Sequence, residues 1–386
     1  MNSENRPALK VYFLKRFLGQ FGGLEKYTHY LSNAFAKRGH DVTFICSTAK
    51  GDQKLDDKIQ IETLNTSPLL SYRKIQAFDS ACQNWLQKNP ADIVFGMDRT
   101  SEQTHIRAGN GVHRAFMERR KSIDSWLKTK TYFLNPTNKY ILDIERKSFE
   151  NPNLKKLFTN SNMVKDEVLQ YYNVDPTKIE VIHNGVEYDD LLPYFENWEE
   201  TKNETLQEFD LPKDMHHMLF IGNGYQRKGL GPLMKALSQL RQYPFHLYVI
   251  GKERNLSAYR KEACNLGLKD HISFLGSQPN ILKYYALADT CVIPSFYDPF
   301  ANVTVEALAM GVFVISSKFN GGHEVLTPQN GSIIPSLYDI DSFVETLKAR
   351  LTCRKTKESA QKIRNSVAHL NFEAQLNKMI DSCLEI

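Results

Sequence analysis

Two doubly wound α/β domains in a single chain are predicted by three features of the sequence. The chain has 386 residues, more than one hydrophobic core usually organises. Short apolar strands alternate with helices of 3.6-residue periodicity, the pattern of parallel sheets flanked by helices. That alternation runs out near residue 186 and starts again near residue 218.

The first domain, placed at 1–186, opens with an apolar strand at Leu9–Leu14. After Gly22-Gly23, the residues Leu24, Tyr27, Leu31, Ala34 and Phe35 fall at helical spacing and complete a strand-loop-helix unit. Gly39 stands where a helix C-terminus takes glycine, and Asp41–Cys46 is the next strand. A strand at Ile59–Leu64, a helix at Ser71–Leu86 and a buried strand at Ile93–Gly96 follow. Helices dominate from about His113 to Phe149; then Leu157–Thr159, a helix from Ser161 and Glu180–Ile182 lead to the turn His183-Asn184-Gly185. A polar stretch, Glu196–Glu208, precedes the strands of the second domain, placed at 187–369. There a strand at Met218–Ile221, a Gly-rich turn, a helix at Leu230–Leu240 and a strand at Phe245–Ile250 restart the pattern. His271–Leu275, Thr290–Pro294, a helix at Asn302–Met310 and a strand at Val312–Ser316 continue it, and a last helix spans Phe372–Leu384.

Composition excludes more than it assigns. Apolar residues at 41% and charged residues at 24% supply two cores, which excludes a disordered chain. The six cysteines are scattered, with no Cys-x-x-Cys pair or His cluster, so reduced thiols and no metal are expected. Met1–Lys10 is polar and no run approaches the roughly 18 apolar residues of a spanning helix, so a cytoplasmic location is expected. Arg107–Lys156 holds twelve Lys/Arg against five Asp/Glu, interleaved with Phe116, Met117, Trp126, Tyr132 and Phe133. Such a segment fits either an anionic surface or an ordinary solvated face. No zinc-finger, RRM or basic-zipper pattern accompanies the charge, so nucleic acid is not an expected partner.

Ligands of open α/β sheets bind beyond the carboxyl ends of the strands, and four such loops stand out. Gly22 and Gly23 expose the start of the first helix to a ligand, although a plain tight turn uses the same residues. Gly222-Asn223-Gly224-Tyr225-Gln226-Arg227-Lys228-Gly229 begins like a dinucleotide fingerprint but has Arg227 in place of the third glycine, and its two adjacent cations fit a diphosphate. In Tyr297–Glu306, Asp298 precedes a helix and Glu306 lies one turn inside it. The amides of Phe300, Ala301, Asn302 and Val303 then face an anion while the acids accept from hydroxyls. Arg107-Ala108-Gly109-Asn110-Gly111-Val112-His113 exposes backbone at two glycines, with His113 placed to bond a hydroxyl or carry a proton; a structural histidine is the alternative. A Gly-x-Ser-x-Gly elbow, a P-loop and His-Glu-x-x-His are absent.

Together these segments resemble retaining glycosyltransferase family 4, almost end to end. The resemblance is carried by Phe21-Gly22-Gly23-Leu24-Glu25, Arg38-Gly39-His40-Asp41-Val42, Asn160-Ser161, Val181-Ile182-His183-Asn184-Gly185-Val186, Gln226-Arg227-Lys228-Gly229 and Asp298 through Gly311. Arg107–His113, followed by Glu118-Arg119-Arg120 and joined by Tyr297-Asp298-Pro299-Phe300, is similar to lipopolysaccharide-core glucosyltransferase-like members. The resemblance implies the GT-B fold: two Rossmann-like domains facing a cleft, with the final helix (370–386) crossing back to the first. It implies a nucleotide-diphosphate sugar donor, held by the second domain, and a glycolipid or lipopolysaccharide-core acceptor, held by the first. By the same resemblance Asp298 and nearby amides hold the sugar, Glu306 the ribose, and Arg227 with Lys228 the diphosphate, with no cofactor and no metal. Two departures are visible: Asp298 replaces the first Glu of a Glu-x7-Glu signature, and Asn223 replaces a further diphosphate-binding Arg.

The expected chemistry is therefore retaining hexosyl transfer from a donor of UDP-glucose type, with segment 114–156 touching an anionic membrane at the cytoplasmic face of the inner membrane. A dinucleotide-dependent oxidoreductase, a catalytically inactive nucleotide-sugar-binding protein and a GT-B epimerase or phosphorylase remain the alternatives.

Overall fold

A computed structural model describes residues 7–19, 23–49, 55–66, 71–132, 134–209 and 214–385. The chain divides into two units, 1–182 with 375–386, and 183–374. The division falls at 182/183, ahead of the turn that the sequence reading assigned to the first domain. The reason is local: Val186 donates to the Leu370 carbonyl at 2.9 Å and Phe372 donates to the Val186 carbonyl at 2.8 Å. Gly185 permits this pairing, because a Cβ there would come within 2.6 Å of Phe372 Cα.

In the first unit the strands Gln60–Thr63, Asp41–Cys46, Lys10–Leu14, Ile93–Gly96, His105–Arg107, Lys156–Thr159 and Ile179–Val181 form a parallel sheet in that spatial order. Phe13, Phe44, Phe95 and Phe158 each occupy one of these strands and are wholly buried. Register sets Phe13 against both Phe44 and Phe95, and the Phe13–Phe95 and Phe95–Phe158 rings stack at 5.7 and 6.0 Å. Each ring contact of this kind adds about 0.5–1.5 kcal/mol beyond burial of its area. The helix Gly23–Lys37 ends at Gly39, whose φ of +84° is the left-handed conformation that glycine adopts without strain. The last helix, Phe372–Leu384, belongs to this unit from Gln375 on, five residues later than the predicted start at 370. Met379 Sδ accepts from Tyr27 at 3.3 Å, and Asp381 accepts from Arg38 at 2.6 Å.

The second unit repeats the order. Ile272–Gly276, Phe245–Ile250, His216–Ile221, Thr290–Ile293, Phe313–Ser317 and Gly331–Ile334 lie side by side and parallel. Phe245–Ile250 is buried along its whole length, as expected for a sheet covered on both faces. The strand starts two residues before the predicted Met218 because His216 and His217 are accommodated as neutral rings. His216 Nε2 meets Thr290 Oγ1 at 3.0 Å and His217 Nδ1 meets Tyr248 OH at 3.2 Å, while burial lowers both pKa values to about 4. The predicted polar stretch at 196–208 is instead the helix Trp198–Phe209, anchored by buried Trp198, Thr205 and Leu206. His105–Arg107 and Gly331–Ile334, too short to show periodicity, are strands the sequence reading did not contain.

Candidate active site

In both sheets the chain's first and fourth strands are neighbours while their following connections leave to opposite faces, which opens a crevice at their carboxyl ends. In the second unit that crevice is made by the loops after His216–Ile221 and Thr290–Ile293. Glycine lets the two loops touch. Gly229 has φ +79°, and a Cβ on it would collide with the Pro294 carbonyl oxygen; one on Gly222 would meet Lys228 Cγ at 2.9 Å. Phe296 donates to the Arg227 carbonyl at 2.9 Å.

This contact brings Arg227, Lys228 and Asp298 together across 70 residues of chain. Lys228 Nζ donates to Asp298 Oδ2 at 2.6 Å, and Arg227 donates to the same oxygen at 3.2 Å and to the Tyr297 carbonyl at 3.0 Å. Asp298 therefore supports two cations at once, and the trio keeps a net positive charge. Burial pushes the Asp298 pKa up, but Lys228 and Arg227 outweigh it and hold the carboxyl below its ordinary value. Its backbone is fixed as well, donating to the Phe319 carbonyl and accepting from Gly321, both at 2.9 Å.

The helix Asn302–Ala309 starts beside this trio. Its N-cap is Ala301, which makes no side-chain cap, so the first-turn amides lack the oxygen that Ser, Asp or Asn would bring. An anion is the natural complement of such an end. The expectation that all the amides from Phe300 to Val303 serve the ligand needs one correction: Ala301 donates to Asn320 Oδ1 at 2.9 Å. Asn320 also accepts from Gly322 and donates to Thr304 Oγ1 and Ser316 Oγ, which locks the approach to the helix. Asn302 is exposed, Val303 is half-buried and Phe300 is buried. Asn184 donates to the Phe300 carbonyl at 3.2 Å and to Asn302 Oδ1 at 2.7 Å. Glu306 is half-buried and accepts from Tyr285 OH at 2.8 Å.

The Gly-rich loop differs from a dinucleotide site in where its acid goes. Glu253, just past the strand Phe245–Ile250, accepts from the Tyr225 amide at 2.7 Å. Gly224, at φ +72°, supplies the turn. Asn223, standing where the resemblance expects Arg, accepts from the Lys252 amide at 2.7 Å. Glu253, Asn320, Tyr285 and Asn184 were not anticipated. Only Asn184 lay inside a motif.

In the first unit, Gly23 starts the first helix, and Gly22 lies outside the described residues. His113 starts the helix His113–Arg120; its amide donates to both oxygens of buried Glu145 at 3.0 Å. Asn138 donates to the Tyr132 carbonyl, so its oxygen faces His113 Nε2 at 3.1 Å. The neutral ring is therefore protonated at Nε2, leaving Nδ1 as an acceptor. Burial, with Arg99 nearby, lowers its pKa to about 4. The Arg107 guanidinium lies where a Cβ on Gly109 would be, so a side chain there would displace it from its stack over Tyr27 at 3.7 Å.

Comparison with known proteins fits this geometry. Residues 21–190 match the description Glycosyltransferase Family 4, and residues 201–367 match Glycosyl transferases group 1. The chain belongs to the family 4 glycosyltransferases. Lipopolysaccharide glucosyltransferase WaaG of Escherichia coli K12 is 22% identical over 337 residues, 86% of this chain and 87% of that protein. The crystal structure of WaaG superposes with a TM-score of 0.77 at 19% identity, covering 97% and 99% of the two chains. Anabaena HepE, solved with UDP and glucose, gives 0.68 at 16% identity over 98% and 99%. At these identities the likeness establishes a shared GT-B fold.

Proposed function

We propose that this glycosyltransferase moves a hexose, or a heptose, from a nucleotide-diphosphate sugar of UDP-glucose type to a lipopolysaccharide-core or other glycolipid acceptor, with retention of anomeric configuration and without a metal. The observation that carries the donor half of this reading is the Arg227–Lys228–Asp298 trio beside the uncapped start of Asn302–Ala309. A departing diphosphate gathers negative charge, and these are preorganised cations and amides at one place. On arrival the diphosphate replaces Asp298 as the partner of Lys228 and Arg227, which frees the carboxylate to accept from the transferred sugar's hydroxyls. Glu306, one turn further on, takes the ribose. In the first unit, His113 Nδ1, an acceptor at neutral pH, is placed to bond a sugar hydroxyl.

The acceptor half rests on WaaG as the relative and on the surface of the first unit. Trp126, Leu127 and Leu134 are 62%, 70% and 72% exposed, with Lys130 Nζ over the Trp126 ring at 4.0 Å. Apolar side chains ringed by cations fit an anionic lipid surface. Many neighbouring cations have acidic partners, such as Arg120 and Lys128 with Asp124. Surface pairs of this kind leave the basic excess of the segment in place. Replacing Trp126 and Leu127 with serine should abolish co-sedimentation with anionic vesicles at low salt.

The test of the activity is nucleotide release from UDP-, GDP- and ADP-sugars, with and without a membrane lipid extract, in wild type and Glu306→Ala. Acceptor-stimulated release from one donor, lost in the variant, is the expected result. Binding without turnover across the panel would instead identify an inactive nucleotide-sugar-binding protein.

A further inference from the structure

Behind the donor helix of the second unit stands a phenol that the reaction scheme does not use. Tyr285 lies on the helix Leu282–Leu287 and is fully buried. Its hydroxyl donates to Glu306 Oε2 at 2.8 Å. Burial, reinforced by the charge of Glu306, pushes the phenol pKa well above its ordinary value, so the hydroxyl is a fixed donor wherever the carboxylate is ionised.

The backbone of Tyr285 is tied to the same helix by a second route. Lys355 Nζ donates to the Met310 carbonyl at 2.7 Å and to the Tyr285 carbonyl at 3.4 Å, and it sits over the Trp198 ring at 4.4 Å. Met310 is the C-cap of Asn302–Ala309, the helix that carries Glu306. One buried lysine, whose pKa burial lowers to about 7, therefore joins the backbone behind the phenol to the end of the helix in front of it. The phenol–carboxylate bond is held at both ends, and the Glu306 side chain has a fixed anchor on an otherwise half-open surface.

We propose that Tyr285 is the positioning residue of the donor site: its hydroxyl fixes the carboxylate of Glu306 toward the ribose hydroxyls and so sets the preference for ribonucleotides over deoxyribonucleotides. The inference rests on the reading of Glu306 as the ribose contact. A carboxylate held by a buried donor meets the ribose without first being ordered, whereas an unanchored one must give up rotamer freedom and hydration to make the same contact. Hydrogen bonds to charged groups have net values that correspond to roughly 10-fold or more in an equilibrium constant. Removing the hydroxyl alone should therefore weaken ribonucleotide binding by roughly 10-fold and leave deoxynucleotide binding nearly unchanged.

The experiment measures binding of a nucleoside diphosphate and its 2′-deoxy and 3′-deoxy forms to the full chain, as wild type, Tyr285→Phe, Glu306→Gln and the double variant. It also records KM and kcat for the donor. Tyr285→Phe keeps the buried ring, and an unchanged melting curve verifies that it folds. Expected are a wild type that prefers the ribonucleotide by about 10-fold or more, and a Tyr285→Phe variant whose preference falls to within about threefold. The donor KM should rise while kcat stays within about threefold, and Tyr285→Phe should add nothing in the Glu306→Gln background. Undiminished preference in Tyr285→Phe, with loss in Glu306→Gln, would overturn the inference alone. Equal affinities in the wild type would overturn the ribose reading of Glu306, and the inference with it.

Discussion

The two units share one strand order and place a lysine and an aspartate at the same topological point, yet they use them differently. In the second unit Lys228 and Asp298 meet at 2.6 Å, both nearly buried, with Arg227 on the same oxygen. In the first unit Lys15 stands 3.5 Å from Asp98, whose side chain is 28% exposed and whose other oxygen accepts from the Arg16 amide at 2.9 Å. Beyond it a small cavity is lined by Asp98, Arg99, Arg107, Asn110 and Glu145, a mixture of charges. The fold fixes where a ligand binds; the local residues decide which ligand. On the proposed reading, a concentrated cationic pair beside an uncapped helix selects a diphosphate. A looser, mixed-charge crevice has no such bias.

The sharpest way to break this comparison is through the glycines that let the loops touch. Gly229→Ala forces a left-handed backbone and a backbone collision with Pro294, and should cost about 3–5 kcal/mol in denaturant unfolding. In the first unit, Gly96→Ala at the end of Ile93–Gly96 brings a Cβ to 3.1 Å from the buried Gln103 side chain without a left-handed backbone, and should cost less, about 1–2 kcal/mol. Equal losses would mean that the loop contact is not what organises the second crevice.

Next in size is the charge itself. Lys228→Ala should lower the transfer rate by roughly 100–1,000-fold, the scale of removing one preorganised donor from a developing anion. Lys15→Ala should leave acceptor-independent donor hydrolysis within about threefold of wild type, because the leaving group is not held there.

Acid sensitivity is a smaller and more distributed effect. Burial lowers the pKa of His113, His216, His217 and His246 to about 4 and that of His105 to about 3, all from the ordinary 6.5. The unfolded chain takes up these protons first as pH falls. Stability contributed by the neutral rings is thus complete above about pH 6.5 and is lost between there and about pH 4. The raised pKa values of Glu145 and Asp79 act in the opposite sense and blunt the slope. Urea midpoints should fall steadily from pH 7 to pH 4.5, and a flat series would contradict the neutral assignment. The smallest expected effect is at the surface pair Arg38–Asp381: Asp381→Ala should cost no more than about 1 kcal/mol, since the aspartate side chain is 62% exposed.

Much of the candidate donor site was legible because charge and glycine are informative residue types. Arg227, Lys228, Asp298 and Glu306 all stood out within a strand-loop-helix frame. What the sequence did not reveal was their pairing: a lysine and an aspartate 70 residues apart become partners only when two strand ends are adjacent. Tyr285 was invisible because Tyr284-Tyr285 reads as an apolar helix face, and its function lies in one hydroxyl aimed at a residue 21 positions away. Asn320 and Glu253 serve backbone amides, and nothing in their neighbours marks them. The helix Trp198–Phe209 was missed because its buried face is only Trp198, Thr205 and Leu206 in an otherwise polar run.

The central claim is that the diphosphate sits against Lys228 and Arg227, and calorimetric titration tests it most directly. The nucleoside diphosphate of the active donor and the matching nucleoside are titrated into wild type and Lys228→Ala. The account predicts that the diphosphate binds at least roughly 30-fold more weakly to the variant while nucleoside affinity stays the same. Undiminished diphosphate binding in Lys228→Ala would contradict it.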